Sequence, residues 1–411
     1  MNLDLLLSAP HNGHLWDDEA YWPAMTEAVA GESGAIATID LAALRYNALD
    51  MAVRAGGVPI RLASKSVRVR AVIDAALALP AFRGILAFTL AEALWHAELG
   101  HDDIVLGYPT ADRAALRRLA TDPEAASRIA LMVDDLAQLD LIDAILPPQE
   151  RETIRLAIDA DASFRSAALG HIGVRRSPLF DDEDVALLAR AISRRAGFRI
   201  VGLMMYEAQI AGQPDAAGTA QDAVIRWMQG RSTDELRARR AAIVTALREI
   251  APLEFVNGGG TGSLERTSAD PSVTEIGAGS GLFAGTLFDG YRAFQPAPAA
   301  AFSLEVVRKP TEDIATVLGG GWIASGPPVA SRQPKPVWPA GLRTLGREGA
   351  GEVQTPLQGA AARDLRVGDR VWFRHAKSGE LAERVDRYLI VDDGRVVGDV
   401  PTYRGEGKAF L

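Results

Sequence analysis

The chain has 411 residues, 48% hydrophobic and 24% charged, with 44 Lys and Arg against 53 Asp and Glu and a formal net charge of −9. That composition is ordinary for a globular protein, the length exceeds one small domain, and the mild acidity argues against a nucleic-acid binder. Zero cysteines exclude disulfides, thiolate nucleophiles and Cys-ligated zinc, and no apolar run approaches the roughly 18 residues that a membrane span needs.

The opening MNLDLLLSAPHNG has no basic n-region and Asp4 interrupts its apolar stretch, so a secretory signal is not expected and the cytoplasm is the expected compartment. Residues 1–35 lack clear periodicity and read as an extension wrapped over the surface. From Ala35 a rhythm of short aliphatic runs and amphipathic stretches sets in, the pattern of a parallel α/β fold. A leading strand at Ala35–Asp40 and a helix at Leu41–Ala55 come first. Strands then read near Ile60–Ala63, Ile85–Thr89, Ile104–Tyr108, Ile129–Asp134, Ile154–Asp161, Ile200–Tyr206, Leu253–Asn257 and Val273–Ile276. Helices fall between them at Val69–Leu79, Leu90–Leu99, Arg113–Leu119 and Val185–Arg194, and Ala220–Ile250 reads as two helices broken near Gly230–Ser232.

Eight strands with interleaved helices over about 230 residues match a (β/α)8 TIM-type barrel. A doubly wound open sheet is the alternative, since periodicity does not report closure. From about Gln295 helical periodicity vanishes and strands appear at Ser303–Arg308, Arg370–Arg374 and Tyr388–Val391. The expected organisation is an extension at 1–35, a barrel at 36–294 and a C-terminal all-β domain at 295–411.

Barrel sites gather at the C-terminal ends of strands, with phosphate favouring the loops after strands 7 and 8. Those loops here read Asn257-Gly258-Gly259-Gly260-Thr261-Gly262-Ser263 and Gly277-Ala278-Gly279-Ser280-Gly281. Consecutive glycines let backbone N–H groups approach an anion, and hydroxyls add donors. No Lys follows the last glycine, so this is not a Walker loop. The first barrel strand ends in Ala63-Ser64-Lys65-Ser66, placing Lys65 at the same mouth. A lysine that can form a Schiff base beside a phosphate cradle matches pyridoxal phosphate, which carries both an aldehyde and a phosphate. A barrel holding some other phosphorylated metabolite is the rival.

Seven ordered motifs extend the case: ATIDLAALRYN at 37–47, RLASKSVR at 61–68, HIGVRR at 171–176, MMYEAQIAG at 204–212, NGGGTGS at 257–263, TEIGAGSGLF at 274–283 and VGDRVWFRHAK at 367–377. With them the chain resembles the fold-type III pyridoxal-phosphate enzymes, in particular the alanine racemase N-terminal barrels grouped with D-threonine aldolase and D-serine dehydratase. The resemblance implies Lys65 as the Schiff-base lysine and the base at Cα. It implies a phosphate site of Gly259, Gly260, Thr261, Gly279 and Ser280, with Arg175 at the mouth and Tyr206 near the cofactor ring.

Two departures matter. Where the racemases carry an arginine toward the pyridine nitrogen this chain has Gly277, with Glu275 nearby either to pair with a protonated ring nitrogen or to stand as a solvated strand-end carboxylate. Relatives hold a divalent cation with a His-x-Cys or His-x-Asp pair. Here His375 is retained but the second position is Lys377, which cannot ligate while protonated. Glu380 and Glu383 are the residues that would rebuild a site with His375, and Lys377 supplying the charge is the alternative. His96 and His101 read as surface, His171 as a brace for Arg175, and His11 and His14 lie in the irregular N-terminus.

The resulting expectation is a homodimeric enzyme acting on a small amino acid, of D configuration and bearing a β-hydroxyl, by aldol cleavage or dehydration, with His375 at that hydroxyl. The runner-up is a racemase or epimerase with Tyr403 as the second base. A cofactor carrier with the same barrel and no turnover is the non-enzymatic rival.

Overall fold

A computed structural model describes residues 3–5, 16, 18–166 and 170–411. His11 and His14 lie outside the described residues. The chain forms two compact units. One comprises 52–65, 80–279 and 410–411, the other 1–51, 66–79 and 280–409.

The first unit is a closed barrel of eight parallel strands. In chain order they are Ile60–Ala63, Phe82–Ala87, Ile104–Leu106, Ile129–Val133, Ile154–Asp159, Phe198–Met205, Phe255–Gly258 and Glu275–Ala278. Each expected strand is present, with ends shifted by a few residues. Closure is made by the eighth strand on the first, with Ile276 opposite Ile60 and Ala278 opposite Leu62. Inside, Val105, Ala130, Ala157, Val201 and Phe255 form one packed cluster. Gly202 is there because a Cβ would lie 2.3 Å from the Phe255 ring.

A buried charge cluster lies at the N-terminal end of the strands. The Arg61 guanidinium donates to Glu275 Oε1 at 2.6 Å and Oε2 at 2.7 Å, and its other edge reaches Asp103 Oδ1 at 2.9 Å. Asn257 Nδ2 donates to Glu275 Oε1 at 2.8 Å. Glu275 is thus neither a solvated carboxylate nor a partner for a ring at the mouth. It is the first residue of its strand, at the opposite end from Lys65, and Arg61 takes both its oxygens.

The second unit is built on a nine-stranded sheet. Its strand Ile36–Asp40 pairs antiparallel with Ala300–Thr311 and parallel with Arg387–Asp392. The segment expected to open the barrel therefore belongs to this sheet, and the compact units do not divide at 36 and 295. The expected extension also contains a helix, Tyr21–Ala28, whose Trp22 and Met25 are buried with Trp372, Leu389 and Val391. Trp372 Nε1 donates to Thr26 Oγ1 at 2.8 Å. Two large apolar side chains three residues apart on one helical face bury this segment instead of leaving it spread over the surface.

The expected break near Gly230–Ser232 is absent: Asp222–Arg248 is one helix of 27 residues. Ser232 is buried and its Oγ accepts from Gln209 Nε2 at 2.9 Å, which anchors the helix through the weak spot. A Cβ at Gly230 would meet nothing within 4 Å. Gly230→Ala should therefore raise unfolding stability by about 0.5–1 kcal/mol. Urea denaturation checks this, and a destabilised variant would contradict the open surroundings.

Candidate active site

Parallel strands put all eight C-terminal ends on one rim, and the groups capable of chemistry collect there. Lys65 sits in the single 3-10 turn Ser64–Ser66 that follows the first strand. It is half-buried, and its Nζ donates to Tyr108 Oη, from just beyond the third strand. The ammonium also lies 5.1 Å from the Tyr108 ring centroid. Tyr206 follows the sixth strand. The Arg176 guanidinium stands between the two tyrosines, 5.6 Å from the Tyr108 ring and 5.2 Å from the Tyr206 ring. Burial pushes the Tyr206 phenol above its ordinary pKa, with Arg176 opposing.

Two carboxylates complete the rim. Asp159 ends the fifth strand, and burial together with the Asp134 and Asp161 charges pushes it up to about 7, against the pull of Arg176. Asp134, after the fourth strand, is raised chiefly by burial and is hydrogen-bonded by Gln138 Nε2 at 2.7 Å. Tyr108, Asp134, Asp159 and Arg176 were not singled out from sequence. Strand-end position was the available signal for the first three.

The two glycine loops are adjacent, since the seventh strand pairs with the eighth. Gly259 has φ +75°, and a Cβ would lie 2.8 Å from Ile276 and Thr267 side-chain atoms. At Gly260 a Cβ would lie 3.0 Å from Ala211 Cβ and 3.4 Å from Tyr206 Cε2. At Gly279 it would lie 2.5 Å from Ala63 O. That contact seats the second loop beside the strand that carries Lys65. The loops are not a simple row of anion-facing amides, however. Gly259 N–H donates to Glu207 Oε2 at 2.9 Å and Gly260 N–H to Ser263 Oγ at 3.2 Å. What these two glycines contribute is room.

Behind the first loop a buried brace holds it. Glu207 also accepts from Thr267 Oγ1 at 2.7 Å and from Arg240 at 3.2 Å, and Arg240 pairs with Asp270 at 2.6 Å. Thr261 is buried, with its carbonyl accepting from Arg54 at 2.8 Å. An amine fixed at the rim, beside loops with no space for side chains and next to a shielded tyrosine, fits pyridoxal phosphate. Lys65 would take the aldehyde carbon, Thr261 and the Gly279 loop the phosphate, and Tyr206 the ring.

Arg175 is not the arginine at the tyrosines; Arg176 is. Arg175 is exposed and lines a neighbouring cavity of about 830 Å³. His171 approaches Val174 O at 3.3 Å and Ser163 Oγ at 3.4 Å and does not brace Arg175. His96 is fully buried on its helix with Glu92, not at the surface as its spacing implied.

The remaining expected site residues belong to the strand-rich unit. Ser280 O accepts from Ser378 Oγ at 2.8 Å, and Ser378 Oγ lies 3.4 Å from His375 Nε2. His375 is 4% exposed, and burial drives its pKa down to about 3, so its imidazole is neutral. Glu383 is ion-paired to Arg68, while Glu380 Oε1 accepts the Ser325 N–H at 2.8 Å. Lys377 donates to Ser325 Oγ at 2.9 Å and shares one small pocket with His375 and Glu380. Among the described residues no three His, Asp or Glu side chains are grouped to hold a metal. With the Lys377 ammonium beside His375 and Glu380, the only two ligating side chains lining that pocket among the described residues, the set does not fit a divalent cation. Tyr403, the candidate second base, is 1% exposed in this unit.

Comparison with known proteins agrees with this architecture. Residues 39–284 match the profile described as alanine racemase, N-terminal domain. The fold resembles that of D-threonine aldolase from Filomicrobium marinum, with TM-score 0.73 and 20% identity over 91% of this chain and 95% of that one. For D-threo-3-hydroxyaspartate dehydratase from Delftia sp. HT23 the TM-score is 0.68 at 21% identity, over 90% and 97%. For alanine racemase from Corynebacterium glutamicum it is 0.55 at 15%, over 86% and 94%. No curated protein matches by sequence.

The state of His375 yields a stability prediction. The unfolded imidazole takes up a proton near pH 6.5, whereas the folded one resists it down to about 3. The unfolded chain therefore binds more protons in that window, and stability falls as pH drops through it, by about 1.4 kcal/mol per pH unit from this group. Replacing His375 with Gln should flatten the urea-midpoint profile between pH 6 and pH 4. An unchanged slope would contradict the buried neutral imidazole.

Proposed function

The chain belongs to the alanine racemase N-terminal domain family, and from that premise we propose that it is a pyridoxal-phosphate lyase acting on a small D-configured β-hydroxy amino acid by aldol cleavage or dehydration. The observation that carries the reading is Lys65 at the barrel mouth, held by Tyr108 and flanked by the loop of Gly279. Two of the proteins that share the fold are named for D-amino acids bearing a β-hydroxyl. When bound, pyridoxal phosphate supplies the electron sink for negative charge at the substrate Cα.

The chain's own residues supply the rest. Lys65 Nζ is the group that takes the Cα proton in dehydration or delivers one to Cα after aldol cleavage, and Tyr108 Oη fixes where that nitrogen points. Arg176 orients the substrate α-carboxylate, since its guanidinium faces the two tyrosines at the rim. Asp159, pushed up to about 7, holds or releases a proton at its carboxyl near neutral pH. The Glu207–Arg240–Asp270 brace keeps the first glycine loop in its shape.

A panel of D- and L-amino acids with and without a β-hydroxyl tests the proposal, run in deuterated water. A D-configured β-hydroxy substrate should release an aldehyde or an oxo acid, and Lys65→Ala should lower turnover by about 10²–10⁴-fold or more. Recovery of inverted substrate deuterated at Cα, with no carbonyl product, would assign racemisation instead and overturn the lyase reading.

A further inference from the structure

Behind the first glycine loop, the helices Asp222–Arg248 and Leu264–Ser268 wall a small cavity. Its ionisable lining is Glu207, Arg237, Arg240, Arg266 and Asp270. The free space is about 10 Å³, on the order of what one water-sized species needs.

Every carboxylate oxygen in this lining already has a donor. Glu207 Oε1 accepts from Thr267 Oγ1 at 2.7 Å, and its Oε2 accepts from Gly259 N–H at 2.9 Å and Arg240 Nη2 at 3.2 Å. Asp270 Oδ2 accepts from Arg240 Nη1 at 2.6 Å and its Oδ1 from Ser272 N–H at 2.9 Å. The donors, by contrast, are in surplus. Arg240 gives Nη1 to Asp270 and Nη2 to Glu207 and the Met205 carbonyl, which leaves its buried Nε–H without an acceptor. Arg237 Nε is likewise buried and without an acceptor. Arg237 and Arg266 make no hydrogen bond and no ion pair among the described residues.

Three guanidinium charges thus stand against two carboxylates, with two buried N–H groups unused. Buried donors are met by a protein group, a water or an ion. A water would satisfy the N–H groups and leave the surplus charge; an anion does both, and burial strengthens its attraction. Volume separates the anions. Phosphate and carboxylate groups are too large for this space, whereas a single halide is close to the size of a water.

We infer that this cavity is a halide site, held by Arg237 and Arg240 with Arg266 adding charge. A chloride there gives the Arg240 Nε–H its acceptor. It thereby steadies the guanidinium that holds Glu207 and, through it, the Gly259 amide. The inference is independent of what the barrel mouth binds or turns over.

Bromide is the probe that tests it, on the purified full-length protein. Anomalous diffraction from crystals grown in sodium bromide should place a bromide within hydrogen-bond reach of the Arg237 and Arg240 Nε atoms. In solution, thermal unfolding is compared in sodium bromide and sodium gluconate at equal ionic strength. The midpoint difference between the two salts should favour bromide by about 1–3 °C more in the wild type than in Arg237→Gln. Subtracting the variant removes the general salt effect that both proteins share. Arg266→Gln should act in the same direction, and serves should Arg237→Gln not fold. A water at that position in place of bromide overturns the inference. So does a bromide in the crystal with no difference between wild type and variants in solution, which is binding at crystal concentration only.

Discussion

The seam between the first and eighth strands is the constraint on which the site depends. Ile276 opposite Ile60 and Ala278 opposite Leu62 close the barrel, and the Arg61–Glu275 pair sits directly beneath that seam. A buried ion pair contributes little net stability compared with apolar packing, but removing one partner costs about 3–5 kcal/mol because a charge is stranded. The pair therefore specifies register more than it adds strength. A slip of one residue would separate Arg61 from both oxygens and would misplace Gly279 against Ala63. With the register fixed, Lys65 and the Gly279 loop stand side by side at the other end of the same two strands.

The rim above divides its labour by charge. Lys65 is tied to Tyr108, Arg176 faces both tyrosines, and burial together with its carboxylate neighbours raises the Asp159 pKa to about 7. A carboxyl whose pKa is raised toward the working pH suits proton transfer. The glycine loops act differently from a plain amide cradle. Glu207 and Ser263 take the Gly259 and Gly260 amides, so the loop is a rigid wall shaped by the brace behind it.

Strand count and barrel class were legible because each barrel strand is a short apolar run ending near a polar residue, and Lys65 was legible because it ends the first of them. Closure itself was not, since periodicity carries no pairing information, and for the same reason Ile36–Asp40 gave no hint that its partners are Ala300–Thr311 and Arg387–Asp392. Glu275 was misplaced because the strand expected at Val273–Ile276 runs over Glu275–Ala278, so the residue expected near its C-terminal end begins it. Arg176 and Arg175 are neighbours in sequence, and only the fold shows which one faces Tyr206. The ordered motifs brought the chain to its family, yet His375 shows their limit. The residue is retained, while its surroundings, with Lys377 and a Glu383 committed to Arg68, do not fit the cation that the motif implied.

The central claim is that Lys65 is the residue to which the cofactor is joined. Incubation with pyridoxal phosphate, borohydride reduction and peptide mass mapping tests it directly. The account predicts a yellow protein whose reduced adduct lies on Lys65, with no adduct at Lys377 or any other lysine. A colourless protein, or an adduct confined to another lysine, would contradict it.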